Sequence, residues 1–177
     1  MATAKTDAEP EAQEPRPTVR EAMRSVLSTA KLVAGADGLD RHIEWARLME
    51  TPEVQPRAGD LMFTSGFPIK DDAQAQIRLV SRIAEGGGAG LVVRPMPYMR
   101  QLPSEMVTEA DRLKVPLFTI GSDVQFVDLM APLLERIINA EHWRLKRSMD
   151  IHRRFTELVL DGKGVNEICR TLADLLE

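Results

Sequence analysis

The pattern of apolar and polar positions changes at Thr18. Thr18 and Glu21 have the spacing of a capping box, in which two side chains satisfy amides at the start of a helix. Apolar residues then recur at helical intervals to about Thr29, which predicts an amphipathic helix. Residues 1–17 show no such period and contain three prolines, so we expect a disordered tail.

Short apolar runs predict five strands in the next part of the chain. They lie at residues 31–35, 43–50, 61–66, 89–95 and 116–121. The first two runs are hairpin-like, and two amphipathic helices separate the last three. The apolar stripe of the first helix is Ile77, Val80 and Ala84, flanked by Leu79 and Ile83. This order is that of a parallel sheet with helices on its faces. The predicted fold class is α/β: a small three-layer parallel or mixed sheet with flanking helices at residues 18–123, followed by a long helical stalk.

The stalk is predicted from a helical repeat that runs from Val124 to Leu160. Pro132 lies early enough to be tolerated in the first turns. A helix of this length exceeds what a domain of ~100 residues covers, so its apolar seam favours a second copy of the chain as partner. We therefore expect residues 124–160 to be a linker and a homodimerisation helix. Its predicted contact residues are Met130, Leu134, Ile137, Leu145, His152 and Phe155.

Composition narrows the function classes. The formal net charge is −4, and residues 1–17 supply half of it, with four acidic against two basic residues. The rest is nearly neutral, so net charge gives no argument for binding nucleic acid or an anionic membrane. Cys169 is the only cysteine, which excludes an internal disulfide and a four-thiolate zinc site. No apolar run reaches the ~20 residues of a spanning helix and no secretory pattern is present, so we expect a cytoplasmic protein.

Polar and aromatic residues cluster where the predicted parallel strands end. Such ends converge at one edge of a sheet, where ligands bind. The predicted ligand-binding residues are Thr64, Ser65, Gly66, Phe67, Arg94, Tyr98 and Ser122. Together they suit a small polar or anionic metabolite, with Arg94 as its charge partner. The alternative is that the small residues only turn the chain and cap helices, while Arg94 pairs with a nearby carboxylate.

No catalytic residue, metal site or cofactor is predicted, and we expect no enzyme. Ser65 does not lie in a Gly-x-Ser-x-Gly elbow, and no histidine is placed to activate it. The glycines at 86–90 follow a helix and precede a strand, which is the opposite polarity to a phosphate-binding loop. His142 and His152 are ten residues apart, unlike a helical metal pair.

Basic residues are frequent between positions 136 and 154. A basic helix in a dimer can enter a DNA groove. These residues flank an apolar seam, however, and no face rich in Asn and Ala accompanies them. The pattern therefore favours the solvated flank of a coiled coil.

Four spaced segments resemble the N-terminal domain of the PucR (purine catabolism regulator) family of bacterial transcription factors. They are GLDRHIEWARLMET, GDLMFTSG, GGGAGLVVRP and LPSEMVTEADRLKVPLFTI. Residues 161–177 resemble the beginning of the GAF-like domain that follows in such proteins, which we expect to be truncated here. The resemblance implies a sensor and oligomerisation module for a purine-pathway or related metabolite, with DNA contacted by a C-terminal domain missing from this chain.

Two alternatives remain open. The domain is also similar, more loosely, to the N-terminal domain of Mur ligases, which implies a substrate-binding unit. The other is a protein-interaction scaffold that binds no small molecule.

Overall fold

The structure is a computed structural model, and it describes residues 16–99 and 101–160. The chain divides into two compact units, with the boundary between Ile138 and Asn139. The first unit is an α/β domain, and the described part of the second is residues 139–160. The predicted GAF-like segment and most of the predicted tail lie outside the described residues. Within the described range, no helix combines the length and the apolar character needed to cross a membrane.

Five strands and four α-helices make up the described chain. In chain order they are α1 (Val19–Arg24), β1 (Lys31–Ala34), β2 (Trp45–Leu48), β3 (Asp60–Thr64), α2 (Ala73–Glu85), β4 (Gly90–Val93), α3 (Ser104–Arg112), β5 (Leu117–Thr119) and α4 (Phe126–Leu160). Two 3-10 turns, Ala36–Gly38 and Phe67–Ile69, follow β1 and β3.

The sheet has the strand order β1-β5-β4-β3-β2. Strands β2 to β5 are parallel, and β1 joins β5 antiparallel. The predicted α/β class with a mixed sheet is therefore confirmed. The hairpin-like pairing of the first two strands is wrong, because β1 and β2 form opposite edges. Gly35 starts the turn that follows β1, and its amide donates to Asp111 Oδ1 (2.6 Å) near the end of α3.

The sheet lies between two helical layers because side chains alternate along each strand. On one face Phe63, Val92 and Phe118 pack with α1 and the beginning of α4. On the other, Met62 and Leu117 pack with α2 and α3. Burying each of these large side chains contributes about 1.5–3 kcal/mol. The three-layer arrangement follows from this alternation.

Helix α1 begins with the predicted capping box: the Glu21 amide donates to Thr18 Oγ1 (3.2 Å), and the Thr18 amide donates to Glu21 Oε2 (2.8 Å). The helix ends at Arg24 rather than near Thr29, because irregular turns follow that bury Leu27 completely.

Helix α2 buries Val80 of the predicted stripe and its predicted flanking residues, but the centre of the buried face lies one residue before the stripe. Its buried residues are Gln76, Leu79, Val80 and Ile83, whereas Ile77 and Ala84 are only half-buried. Gln76 is tolerated inside because its Nε2 donates to the carbonyls of Ile69 (2.8 Å) and Lys70 (3.2 Å).

Helix α4 is continuous over 35 residues and contains Pro132. Inside the α/β unit, Leu129, Leu133 and Ile137 belong to the core beneath the sheet. Ile137 is only 6% exposed, which leaves little surface for a partner. Met130 and Leu134 are half-buried against the same core.

Candidate functional site

The carboxyl ends of β2, β3 and β4 surround a small cavity with the beginning of α4 on one side. Its volume is about 270 Å³, just below the range of drug-sized pockets. The lining residues are Leu48, Met49, Glu50, Ser65, Phe67, Pro68, Arg94 and Phe126. The lining thus offers a positive group (Arg94), a negative group (Glu50) and an aromatic surface in a space suited to a small metabolite.

Arg94 follows β4 and is held by neutral partners. Its amide donates to the Thr64 carbonyl (2.9 Å), which continues the β3–β4 pairing. Its Nη1 donates to the Val124 carbonyl (3.3 Å), and its guanidinium carbon lies 4.7 Å from the centre of the Phe126 ring. Among residues 16–99 and 101–160, no carboxylate forms an ion pair with Arg94. Its charge is therefore available to an anion.

The turn after β3 uses two of the predicted site residues for its own geometry. Thr64 is fully buried, and its Oγ1 accepts the Gly66 amide (3.1 Å). A Cβ on Gly66 would lie 2.3 Å from Met99 Cε. Ser65, in contrast, lines the cavity; its Oγ accepts the Phe67 amide (3.3 Å), which leaves its O–H able to donate.

An aromatic pair forms the rim of the cavity. The rings of Phe67 and Tyr98 meet edge to face with centroids 4.9 Å apart. Phe67 is 53% exposed and Tyr98 45%, and Lys70 Nζ lies 5.0 Å from the Phe67 ring. Only Phe67 of the two rings lines the cavity itself.

Ser122, the last predicted ligand residue, is exposed and does not line this cavity. Its neighbour Gly121 lines a separate groove of about 480 Å³ with Lys31, Leu102 and Val107. The structure thus brings together Ser65, Phe67 and Arg94, with Tyr98 against Phe67, and leaves Ser122 apart.

Leu48, Glu50 and Phe126 line the cavity but were not predicted from the sequence. Leu48 and Glu50 come from the end of β2, which the sequence pattern assigned to a hairpin rather than to the parallel set. Recognising β2 as parallel would have placed its end in this cavity. Phe126 is the first residue of α4, and no local signal marks it.

The predicted dimerisation residues beyond the α/β unit lie on residues 139–160. Leu145 is 59% exposed, Met149 beside it on the helix is 72% exposed, and His152 is also exposed. The side chain of Phe155 lies outside the described residues.

The fold defines a small three-layer α/β domain, a class in which ligands bind outside the carboxyl ends of parallel strands. Residues 22–137 match the model of the purine catabolism regulatory protein-like (PucR) family. The chain belongs to this family.

Two curated relatives are similar to the chain. It is 24% identical over 153 residues to the purine catabolism regulatory protein of Bacillus subtilis (strain 168), covering 85% of this chain and 29% of that protein. It is 27% identical over 111 residues to the transcriptional activator PmfR of Paenarthrobacter nicotinovorans, covering 62% of this chain and 24% of that protein. The chain thus spans less than a third of either relative. Both relatives are regulators by name, which supports a regulatory role for this chain.

Proposed function

We propose that this chain is the sensor and dimerisation module of a bacterial transcription regulator. It binds a small anionic metabolite of the purine pathway or a related one at the strand-end cavity, in the cytoplasm, and relays occupancy through α4. DNA is contacted by a domain outside this chain. The observation that carries the proposal is the cavity in which Arg94 has no carboxylate partner among the described residues.

The cavity suits a flat molecule with one anionic group. A guanidinium binds a carboxylate or similar oxyanion through paired, charge-assisted hydrogen bonds. Phe67 offers an exposed ring for the planar body of the ligand. The Ser65 hydroxyl can donate to the ligand, and the Glu50 carboxylate can accept from its N–H groups. The volume of about 270 Å³ limits the ligand to a compact metabolite.

Thermal unfolding with a panel of purine-pathway and related metabolites tests ligand binding. At 100 times its Kd a ligand adds about 2.7 kcal/mol, which raises the Tm of a chain this size by about 5–10 °C. We expect Arg94→Gln to abolish this rise. Arg78→Gln, an exposed arginine on α2 that pairs with Asp72, is the matched control and should keep it. No saturable rise with any anionic member would contradict the sensor role.

The proposed dimerisation rests on exposed apolar side chains of residues 139–160. Leu145 and Met149 are four residues apart, so they lie on one face of α4. Large exposed apolar residues at this spacing are typical of a helix–helix interface. A symmetric homodimer is the simplest partner.

Size-exclusion chromatography with light scattering tests the proposed dimerisation. We expect a dimer for the chain and a monomer for the double variant Leu145→Gln, Met149→Gln. Arg147→Gln introduces the same residue type on the opposite face of the helix, so it should leave the dimer intact. A monomeric chain at high concentration would refute dimerisation.

One observation favours a second function, a protein-interaction scaffold. Several apolar side chains are exposed around the strand ends: Leu48, Phe67, Met96 and Tyr98. Such a patch also suits a protein partner. A ligand screen without any response, together with a partner whose binding is lost in Phe67→Ala, would favour the scaffold.

A further inference from the structure

Arg94 contacts both the cavity and the beginning of α4. It lines the cavity, its Nη1 donates to the Val124 carbonyl, and its guanidinium stacks on Phe126. The Phe126 ring also meets the Phe63 ring edge to face, at 5.9 Å between centroids. One cation thus links the candidate ligand site with the first residue of the helix.

The first turn of α4 depends on such side-chain contacts. Pro132 has no amide, so the Asp128 carbonyl lacks the hydrogen bond that the fourth following residue normally donates. Val127 and Asp128 are exposed and contribute little packing. Anchoring therefore falls on Phe126, which contacts Phe63 and Arg94, and on Leu129 in the core.

We infer that Arg94 is a latch that an oxyanion of the ligand opens, an inference that rests on the proposed function. The hydrogen bond from Arg94 Nη1 to the Val124 carbonyl is long (3.3 Å), so a carboxylate bound in paired geometry within the cavity draws the guanidinium away from that carbonyl and from the Phe126 ring. A carboxylate attracts it more strongly than a neutral carbonyl does. Binding therefore moves the guanidinium toward the cavity and loosens the first turn of α4. The ligand class is a compact planar carboxylate or equivalent oxyanion, and a neutral isostere leaves the latch closed.

Amide hydrogen exchange on the 177-residue chain, followed by NMR, tests the latch without any ligand. The reporters are the amides of Met130 and Ala131, whose helical acceptors are the carbonyls of Phe126 and Val127. Arg94→Ala should accelerate their exchange on the order of tenfold while the α2 amides keep their rates. Arg78→Ala is the control and should change neither. Unchanged exchange at Met130 and Ala131 in Arg94→Ala overturns the latch, whether or not a ligand exists.

The oxyanion step is tested with benzoate against benzamide, two flat probes of the same shape that differ in charge. Benzoate should accelerate exchange at Met130 and Ala131 in the wild type, whereas benzamide should leave the wild-type rates unchanged. In Arg94→Ala, benzoate should cause no change beyond that of the substitution itself. Benzoate that raises the Tm without changing this exchange supports a ligand site and overturns the latch. No benzoate effect on exchange or on Tm overturns the oxyanion step.

Discussion

At the amino ends of the parallel strands, charged groups are tied to the backbone, whereas at the carboxyl ends they face a cavity. Arg41 donates to the carbonyls of Gly88 (2.7 Å) and Leu113 (3.2 Å), joining the turns that precede β4 and β5. Its burial lowers the pKa of the guanidinium. Arg94, at the other end, contacts one carbonyl and one ring. One arginine therefore fastens the fold, while the other is placed to meet a ligand.

The same contrast between the two ends of the sheet holds for carboxylates. Asp60, at the amino end of β3, is 2% exposed and accepts from Arg47 Nε (2.8 Å) and the Arg57 amide (2.9 Å). Glu50, after β2, is exposed beside the cavity. Changes at the amino end should therefore reduce stability, and changes at the carboxyl end should mainly reduce binding.

The largest effect is expected from Gly35→Ala at the amino end. Gly35 has φ +73°, and a Cβ there would lie 2.0 Å from the Val115 carbonyl oxygen. We expect a loss of about 3 kcal/mol or more in the free energy of unfolding, measured by urea denaturation. Gly87→Ala is the control, because its φ is similar (+69°) but its nearest contact is at 3.5 Å. It should cost only about 1–2 kcal/mol, and equal losses would show that crowding at Val115 is not the cause.

The next effect is expected from Asp60→Ala, which leaves the half-buried Arg47 without its carboxylate. Removing one partner of a buried ion pair costs about 3 kcal/mol. The same urea measurement applies. Asp40→Ala removes an exposed carboxylate that pairs with Arg20 and should leave the midpoint near the wild-type value. A wild-type midpoint for Asp60→Ala would refute the view that the amino end carries the stability.

Glu109 should make a smaller contribution to the free energy of unfolding, and this contribution should depend on pH. Hydrogen bonds from Arg112 and Ser81 lower its pKa from 4.5 to about 2. Because the folded pKa lies below the unfolded one, this carboxylate stabilises the fold above pH 4.5, and the contribution is lost as pH falls toward 2. The stability difference between wild type and Glu109→Gln should therefore shrink over this window. In an Arg112→Gln background the pH-dependent difference should be smaller, and an unchanged one would contradict the assigned cause.

Local signals in the sequence predicted elements, but they could not assign strand partners. The capping box at Thr18 and the apolar runs gave helices and strands because hydrogen bonding and burial period act over a few residues. β2 was misplaced because it joins β3 in parallel through residues 49–59, without the helix that usually makes such a crossover.

Residues of the candidate site were predicted when they followed a recognised parallel strand, as Ser65, Phe67 and Arg94 do. Glu50 and Phe126 were missed because their positions depend on the edge that β2 takes and on the packing of α4. Both are set by tertiary contacts rather than by neighbouring residues. The burial of Gln76 was missed for the same reason, since its acceptors belong to the turn before α2.

The smallest loss of stability is expected at the open end, from Phe67→Ala. The Phe67 ring is 53% exposed and its main partners are Tyr98 and Lys70, so its removal should cost less than about 1 kcal/mol in thermal unfolding. Phe118→Ala, which removes a fully buried ring of the same size, should cost about 3–5 kcal/mol. A loss of about 2 kcal/mol or more for Phe67→Ala, well above the usual cost of an exposed substitution, would mean that the carboxyl end also holds the fold together. The exposed rim would then be explained by stability, and the contrast between the two ends of the sheet would no longer point to a ligand.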